Sequence, residues 1–155
     1  MTITISDNFD GGNIAVIDTS NPLNIQLNIK PDNASDFFQW FYFRLEGEVG
    51  QQCRVEIANA GKAAYLGGWE NYQVCTSWDR DEWFRTPTAY QDGKLTFEFT
   101  LQHSSVYFSY FTPYSHERHL DLLAWAQRDE RVTQTSLGQT LDGHTMSLLH
   151  VSASA

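Results

Sequence analysis

Phe38-Gln39-Trp40-Phe41-Tyr42-Phe43 puts five aromatics into six positions, with no glycine, proline or charge among them. Aromatic side chains favour a pleated, packed surface, so the run predicts a strand buried on both faces, central in a sheet and extending from Phe37 to Glu46. A strand of that kind needs neighbours on both edges and both faces. The rest of the chain has to supply them.

Upstream, Leu23, Ile25, Leu27 and Ile29 alternate with Asn24, Gln26, Asn28 and Lys30, which predicts one buried and one wet face. Ile14–Ile17 is a shorter strand, preceded by a glycine-bearing turn at Phe9-Asp10-Gly11-Gly12-Asn13. Downstream, a turn over Gly47–Gln52 leads to the alternating Arg54–Ala58. From Asn59 to Gln91 the periodicity loosens, with short strands expected near Gln73–Thr76 and Glu82–Arg85. Lys94–Gln102 alternates again, and Val106–Phe111 is expected to pair back on it as a hairpin across His103–Ser105. A single helix is predicted over Ser115–Arg128, with Ser115 as N-cap after Pro113 and Glu117 in the first turn. Val132–Leu141 and Thr145–Val151 flank Asp142-Gly143, a strong hairpin signal. These elements predict a mainly β protein: an antiparallel β-sandwich with one helix near residues 115–128. The lack of β-α-β alternation argues against a parallel sheet.

The length suits one domain over residues 1–155, large enough to bury a core without staples. Nineteen acids against ten bases leave a net charge of −9, which argues against nucleic acid or an anionic membrane as partner. No apolar run approaches the roughly 20 residues of a membrane span, and the N-terminus lacks the pattern of a signal peptide, so a cytoplasmic location is expected. Cys53 and Cys75 are then expected to be free thiols.

Local motifs for chemistry are sparse. His116 and His119 lie three apart on the predicted helix and could share a face, but a zinc site needs a third ligand and none stands at short spacing. Surface or interface side chains are the commoner role of such a pair. No Gly-x-Ser-x-Gly elbow and no phosphate-binding loop is present. Asp79, Asp81 and Glu82 around Arg80 read as a charged turn. Two features stay open. The aromatics of residues 65–90 could stack a ligand or cover a sheet edge. Thr112-Pro113-Tyr114 before the helix could present groups to a partner or substrate, or Pro113 could end a strand while Tyr114 packs under the helix.

Several of these segments together resemble the N-terminal domain of the cytosolic-carboxypeptidase subfamily of zinc metallocarboxypeptidases. The resemblance runs in order through Phe9-Asp10 with Gly12-Asn13, Gln39-Trp40-Phe41-Tyr42-Phe43, Val55-Glu56-Ile57-Ala58-Asn59, Trp83 with Arg85, Leu95–Phe99, Val106–Ser115, and Leu137, Thr140-Leu141 and Gly143. Gly138 and His144 depart from a cysteine and an asparagine common in the family. The resemblance implies an enzyme that removes C-terminal residues from peptides or proteins. Its zinc would be held by a His-x-x-Glu pair and a later His in a following α/β catalytic domain, the first ligand motif coming shortly after Val151. This chain would then carry no catalytic residue and no zinc. It would pack on the catalytic domain of the same polypeptide, support its folding and shape the substrate cleft, with Thr112, Pro113 and Tyr114 as the expected cleft or interdomain contact. The competing reading is a stand-alone module, binding carbohydrate through Trp69, Tyr72, Trp78 and Trp83 or protein through its acidic face.

Overall fold

The aromatic run enters its strand later than its composition predicts. In the computed structural model, which describes residues 2–153, regular pairing begins only at Tyr42 and the strand is Tyr42–Glu46. The residues before it bond to separate segments instead of one ladder. Phe38 C=O accepts from Ala64 N–H (2.9 Å), and Phe41 C=O accepts from Tyr110 N–H (3.0 Å). Both faces are buried at Tyr42 and Phe43, but Arg44 and Glu46 are half-buried beside buried Leu45, so one face opens as the strand proceeds.

The described residues form twelve strands: β1 (Thr4–Ser6), β2 (Ala15–Asp18), β3 (Ile25–Asn28), β4 (Tyr42–Glu46), β5 (Gln52–Ile57), β6 (Val74–Ser77), β7 (Phe84–Thr86), β8 (Thr88–Gln91), β9 (Lys94–Thr100), β10 (Ser105–Ser109), β11 (Val132–Gln139) and β12 (Thr145–Val151). The helix α1 is His116–Ala126. Leu23, expected in a strand, lies in the 3-10 turn Pro22–Asn24, where Asn21 Oδ1 accepts from Leu23 N–H at 3.0 Å.

The chain divides into two compact units, Met1–Pro113 and Tyr114–Ala155. In the first, two five-stranded sheets run β1-β4-β10-β6-β7 and β2-β3-β5-β9-β8. The central strand of the first sheet is therefore β10, and β4 lies one place in from the edge. The sheets pack face to face through a shared core that includes Phe41, Phe43, Leu45, Val55, Ile57, Phe97 and Phe108.

Two pairings differ from expectation. The β9–β10 hairpin does not form: β9 pairs with β5 and β8, while β10 pairs with β4 and β6 in the other sheet. Phe97 and Phe99 of β9 meet Phe108 of β10 across the core, with ring centroids at 4.9 and 4.7 Å. Alternation marks a strand's buried face, and that face meets a facing sheet as readily as its edge meets a neighbour. The chain thus changes sheet at 101–104, alongside the β4–β5 crossing. Gly47 N–H donates to Ser104 C=O (3.0 Å) and Gly50 N–H to Leu101 C=O (2.7 Å), tying the two crossings together. The second difference is that β3 and β5 run parallel, with Ile25 opposite Val55 and Leu27 opposite Ile57. The chain leaves β3, crosses to the other sheet as β4 and returns as β5 in the original direction. A parallel pair arises here without a crossover helix.

The second unit holds α1 and the antiparallel β11–β12 hairpin, paired from Val132↔Val151 to Gln139↔Thr145 with an irregularity between Ser136 and Gly138. Ser115 Oγ accepts from Arg118 N–H (3.2 Å), the cap its position predicts. Gly143 takes φ 79° in the turn, a conformation that favours glycine.

Candidate functional site

The residues that carried the family resemblance tie loops to the sandwich. Phe9 packs edge-on against Tyr42 (4.8 Å between centroids). At Gly12 an added Cβ would lie 1.9 Å from Asp7 O, so no other residue fits without moving backbone. Asn13 Nδ2 donates to the carbonyls of Lys30 (3.0 Å) and Trp40 (2.9 Å). Gln39 Oε1 accepts from Tyr65 N–H (2.9 Å), and Trp40 Nε1 donates to Gly11 C=O (2.7 Å). Asn59 extends β3 as a backbone would: its Oδ1 accepts from Ile29 N–H and its Nδ2 donates to Ile29 C=O, both at 2.9 Å. Arg85 Nη1 donates to Gln73 C=O at 2.7 Å. Each of these hydrogen bonds needs one donor or acceptor at one place, which restricts the residue type at Asn13, Gln39, Trp40, Asn59 and Arg85.

The aromatics of residues 65–90 do not assemble into one stacking surface. Trp69 is only 2 % exposed and its Nε1 donates to Ala60 C=O (2.9 Å). Tyr72 packs against Trp69 (5.3 Å) and its hydroxyl donates to Tyr110 C=O (2.7 Å); burial pushes that phenol far above its ordinary range. Trp78 lies instead against His103 (5.4 Å) and Phe84 (6.3 Å), and Trp83 against Tyr42 (6.0 Å).

Thr112 is exposed, with Oγ1 at 3.9 Å from Cys75 Sγ, and Pro113 is half-buried. Tyr114 is 56 % exposed; its hydroxyl donates to Arg118 C=O (3.5 Å), and the Arg118 guanidinium lies 5.3 Å from its ring centre. The strand before this turn already ends at Ser109, so Pro113 does not end it. Cys53 and Cys75 are both free and buried. Burial pushes the Cys53 thiol up to about 11, which leaves it protonated and unreactive at neutral pH.

Asp79 organises the charged turn. Its Oδ1 accepts from the N–H groups of Asp81 and Glu82, both at 2.9 Å, and these bonds hold its carboxyl below the ordinary value. That turn also delivers an arrangement the sequence reading missed. Arg80, at φ 70°, donates from Nε to the Tyr42 hydroxyl (3.1 Å), and its guanidinium lies 5.6 and 5.5 Å from the Phe9 and Tyr107 ring centres. Its three partners come from separate segments, so no local motif announces it.

In the second unit, the His116 and His144 rings approach to 4.1 Å, while His116 and His119 stand 6.3 Å apart. The hairpin turn brings His144 to the helix start, a contact that spacing along the helix could not reveal. Among the described residues, no group of three or more His, Cys, Asp or Glu side chains is placed to hold a metal ion. No helix among them is long and apolar enough to cross a membrane.

The chain belongs to the cytosolic carboxypeptidase N-terminal domain family, whose family model matches residues 5–111. It is 45 % identical over 149 residues to an uncharacterized protein of Zymomonas mobilis subsp. mobilis, a match covering 96 % of this chain and 39 % of that protein. A Shewanella denitrificans protein assigned as a carboxypeptidase A superposes with a TM-score of 0.93 at 50 % identity, over 97 % of this chain and 40 % of that one. A Pseudomonas aeruginosa metallo-carboxypeptidase, solved in complex with (2-guanidinoethylmercapto)succinic acid, superposes at 0.89 with 41 % identity, over 94 % of this chain and 39 % of its own. The chain thus spans about two fifths of the length of these relatives.

Proposed function

We propose that this chain is the N-terminal part of a cytoplasmic zinc metallocarboxypeptidase that removes C-terminal residues from peptides or proteins. Its sandwich acts as an accessory domain, packing on the catalytic domain of the same polypeptide, supporting its folding and shaping one wall of the substrate cleft. The observation that carries this reading is the family match over residues 5–111 within a chain that spans two fifths of metallocarboxypeptidase-like relatives. The described residues do not fit a zinc ion, since no three potential ligands cluster. In this reading the zinc ligands and the general base are supplied by polypeptide beyond this chain.

Thr112-Pro113-Tyr114 is the proposed contact with the cleft or the catalytic domain. Thr112 and Tyr114, both exposed, flank a proline whose fixed φ stiffens the segment. The test is release of C-terminal amino acids from a peptide panel by the longer polypeptide. Release that stops on metal chelation is expected, and none from the 155-residue chain alone. A longer polypeptide that releases nothing from any peptide refutes the proposal. Tyr114→Ala should raise KM severalfold; an unchanged KM removes Tyr114 from the cleft.

A further inference from the structure

We propose that the open edge of β8, with the groove beside it, is a docking site for an extended peptide segment that carries a basic side chain. The first observation is that this edge of the sandwich is unguarded. The two sheets of the first unit end in β1, β7, β2 and β8. β1 and β7 are three residues each, and β7 carries Arg85. β2 is irregular between Val16 and Asp18 and includes that acid. Short length, charge and irregular pairing keep an edge strand from taking on another chain. β8 (Thr-Ala-Tyr-Gln) holds no charge, proline or glycine and pairs without interruption from Thr88↔Phe97 to Gln91↔Lys94. Among the described residues β9 is its one strand partner, so its other edge can take an added strand.

The second observation is the groove. Thr88 and Tyr90 stand opposite buried Phe97 and Leu95, so both point to the inner face of the sheet, at its open margin. There they line an open groove of about 590 Å³ with Leu66, Trp69, Glu70 and Tyr72, a volume typical of sites that take small ligands. Two successive turns build the far wall. Gly68 N–H donates to Tyr65 C=O (3.1 Å) and Tyr72 N–H to Trp69 C=O (3.3 Å), with Asn71 at φ 54° in the second turn. These turns pack Trp69 and Tyr72 on the core and leave Leu66 and Glu70 exposed.

The lining sets the chemistry of the occupant. Leu66, Trp69, Tyr72 and Tyr90 give an alkyl stem apolar and aromatic surface, and Glu70 gives its head a carboxylate. Glu70 stands in no ion pair among the described residues. A lysine or arginine side chain fits that combination. A second copy of this chain does not, since it would bring another charge of −9 to the same edge. In an added strand every second side chain points to the face of Thr88 and Tyr90. One basic residue therefore enters the groove while the backbone pairs with β8. The site lies within residues 1–113 and is independent of the proposed function.

Two blocked heptapeptides test it, one alternating threonine with lysine and one alternating threonine with glutamate. Each is titrated by fluorescence anisotropy into the 155-residue chain and into the longer polypeptide. The lysine peptide should bind about tenfold more tightly than the glutamate peptide to both proteins. Glu70→Gln, at an exposed position, should weaken the lysine peptide about fivefold and leave the circular dichroism unchanged. N-methylation of one set of alternate peptide residues should abolish binding and of the other set leave it, because an added strand pairs along one edge only. On saturation, hydrogen exchange of the β8 amides should slow about tenfold while that of β2 is unchanged. Four results overturn the proposal: no preference for the lysine peptide, a Glu70→Gln variant that binds as the parent does, N-methylated peptides that both bind as the unmodified one does, or protection that falls on β2. A β8 edge already protected without peptide overturns it too, whether the cover is a second copy at dimer mass or the rest of the longer polypeptide.

Discussion

The two units spend their apolar side chains differently. In residues 1–113, Phe43, Phe97, Phe99 and Phe108 meet ring against ring inside two facing sheets. In residues 114–155, Leu123 is buried while Trp125, Leu141, Met146 and Leu148 face outward. The local signals are equally sound in both. The helix has its cap and the second hairpin its Asp-Gly turn, but these supply only local bonds. Burial needs a second layer, which the sandwich contains and the helix–hairpin unit lacks among its described residues. Secondary structure is therefore no measure of self-sufficiency here.

The sharpest way to break this contrast is Phe108→Ala. Phe108 is fully buried between β4 and β9 side chains, so its truncation should cost about 3–5 kcal/mol in urea unfolding of the first unit. A loss under about 1 kcal/mol would mean that the sheets do not share a core. Next is Asn59→Ala, which leaves Ile29 N–H and C=O without their side-chain partner and should cost about 2 kcal/mol by the same measurement. A neutral outcome would reduce Asn59 to a bystander.

Ser115→Ala probes the other unit. Loss of the N-cap should weaken α1 by about 1 kcal/mol, seen as faster exchange of its first-turn amides with no shift in the urea midpoint of the first unit. A shift in that midpoint would argue that the two units unfold together. The smallest effect is expected from Asp7. Burial alone would raise its carboxyl, but hydrogen bonds from Lys30 and Ile14 N–H outweigh it and hold the group below its ordinary 3.8. A depressed folded value stabilises above the unfolded value and is lost as pH falls through the folded one. Asp7→Asn should therefore lower stability at pH 7 by under about 1 kcal/mol, because the pair is partly exposed, and should flatten the decline below pH 4. An unaltered acid limb would show that the Asp7–Lys30 pair contributes nothing.

What could be read locally was read well. The helix start at Ser115 and the hairpin about Asp142-Gly143 sit within a residue or two of expectation, because caps and turns are decided by neighbours along the chain. The alternation of Lys94–Thr100 likewise marked a true strand. Its partner was misread because alternation does not distinguish a facing sheet from an adjacent edge. The aromatic run overstated β4 for a related reason: Gln39 and Trp40 send their side-chain bonds to loops, which composition does not record. Of the candidate site, the turn role of Asp79 was legible, while Arg80 on Phe9, Tyr42 and Tyr107 joins segments far apart in sequence.

By itself, then, the sequence determined the β class, the single helix and the family, because periodicity, capping residues and ordered side-chain strings are properties of the chain read in order. The tertiary structure alone decided which strands share a sheet, that β3 and β5 run parallel, and that residues 114–155 stand as a second, mostly exposed unit. Those outcomes depend on which apolar faces meet. Many pairings satisfy the same alternation, and only closing the core selects among them.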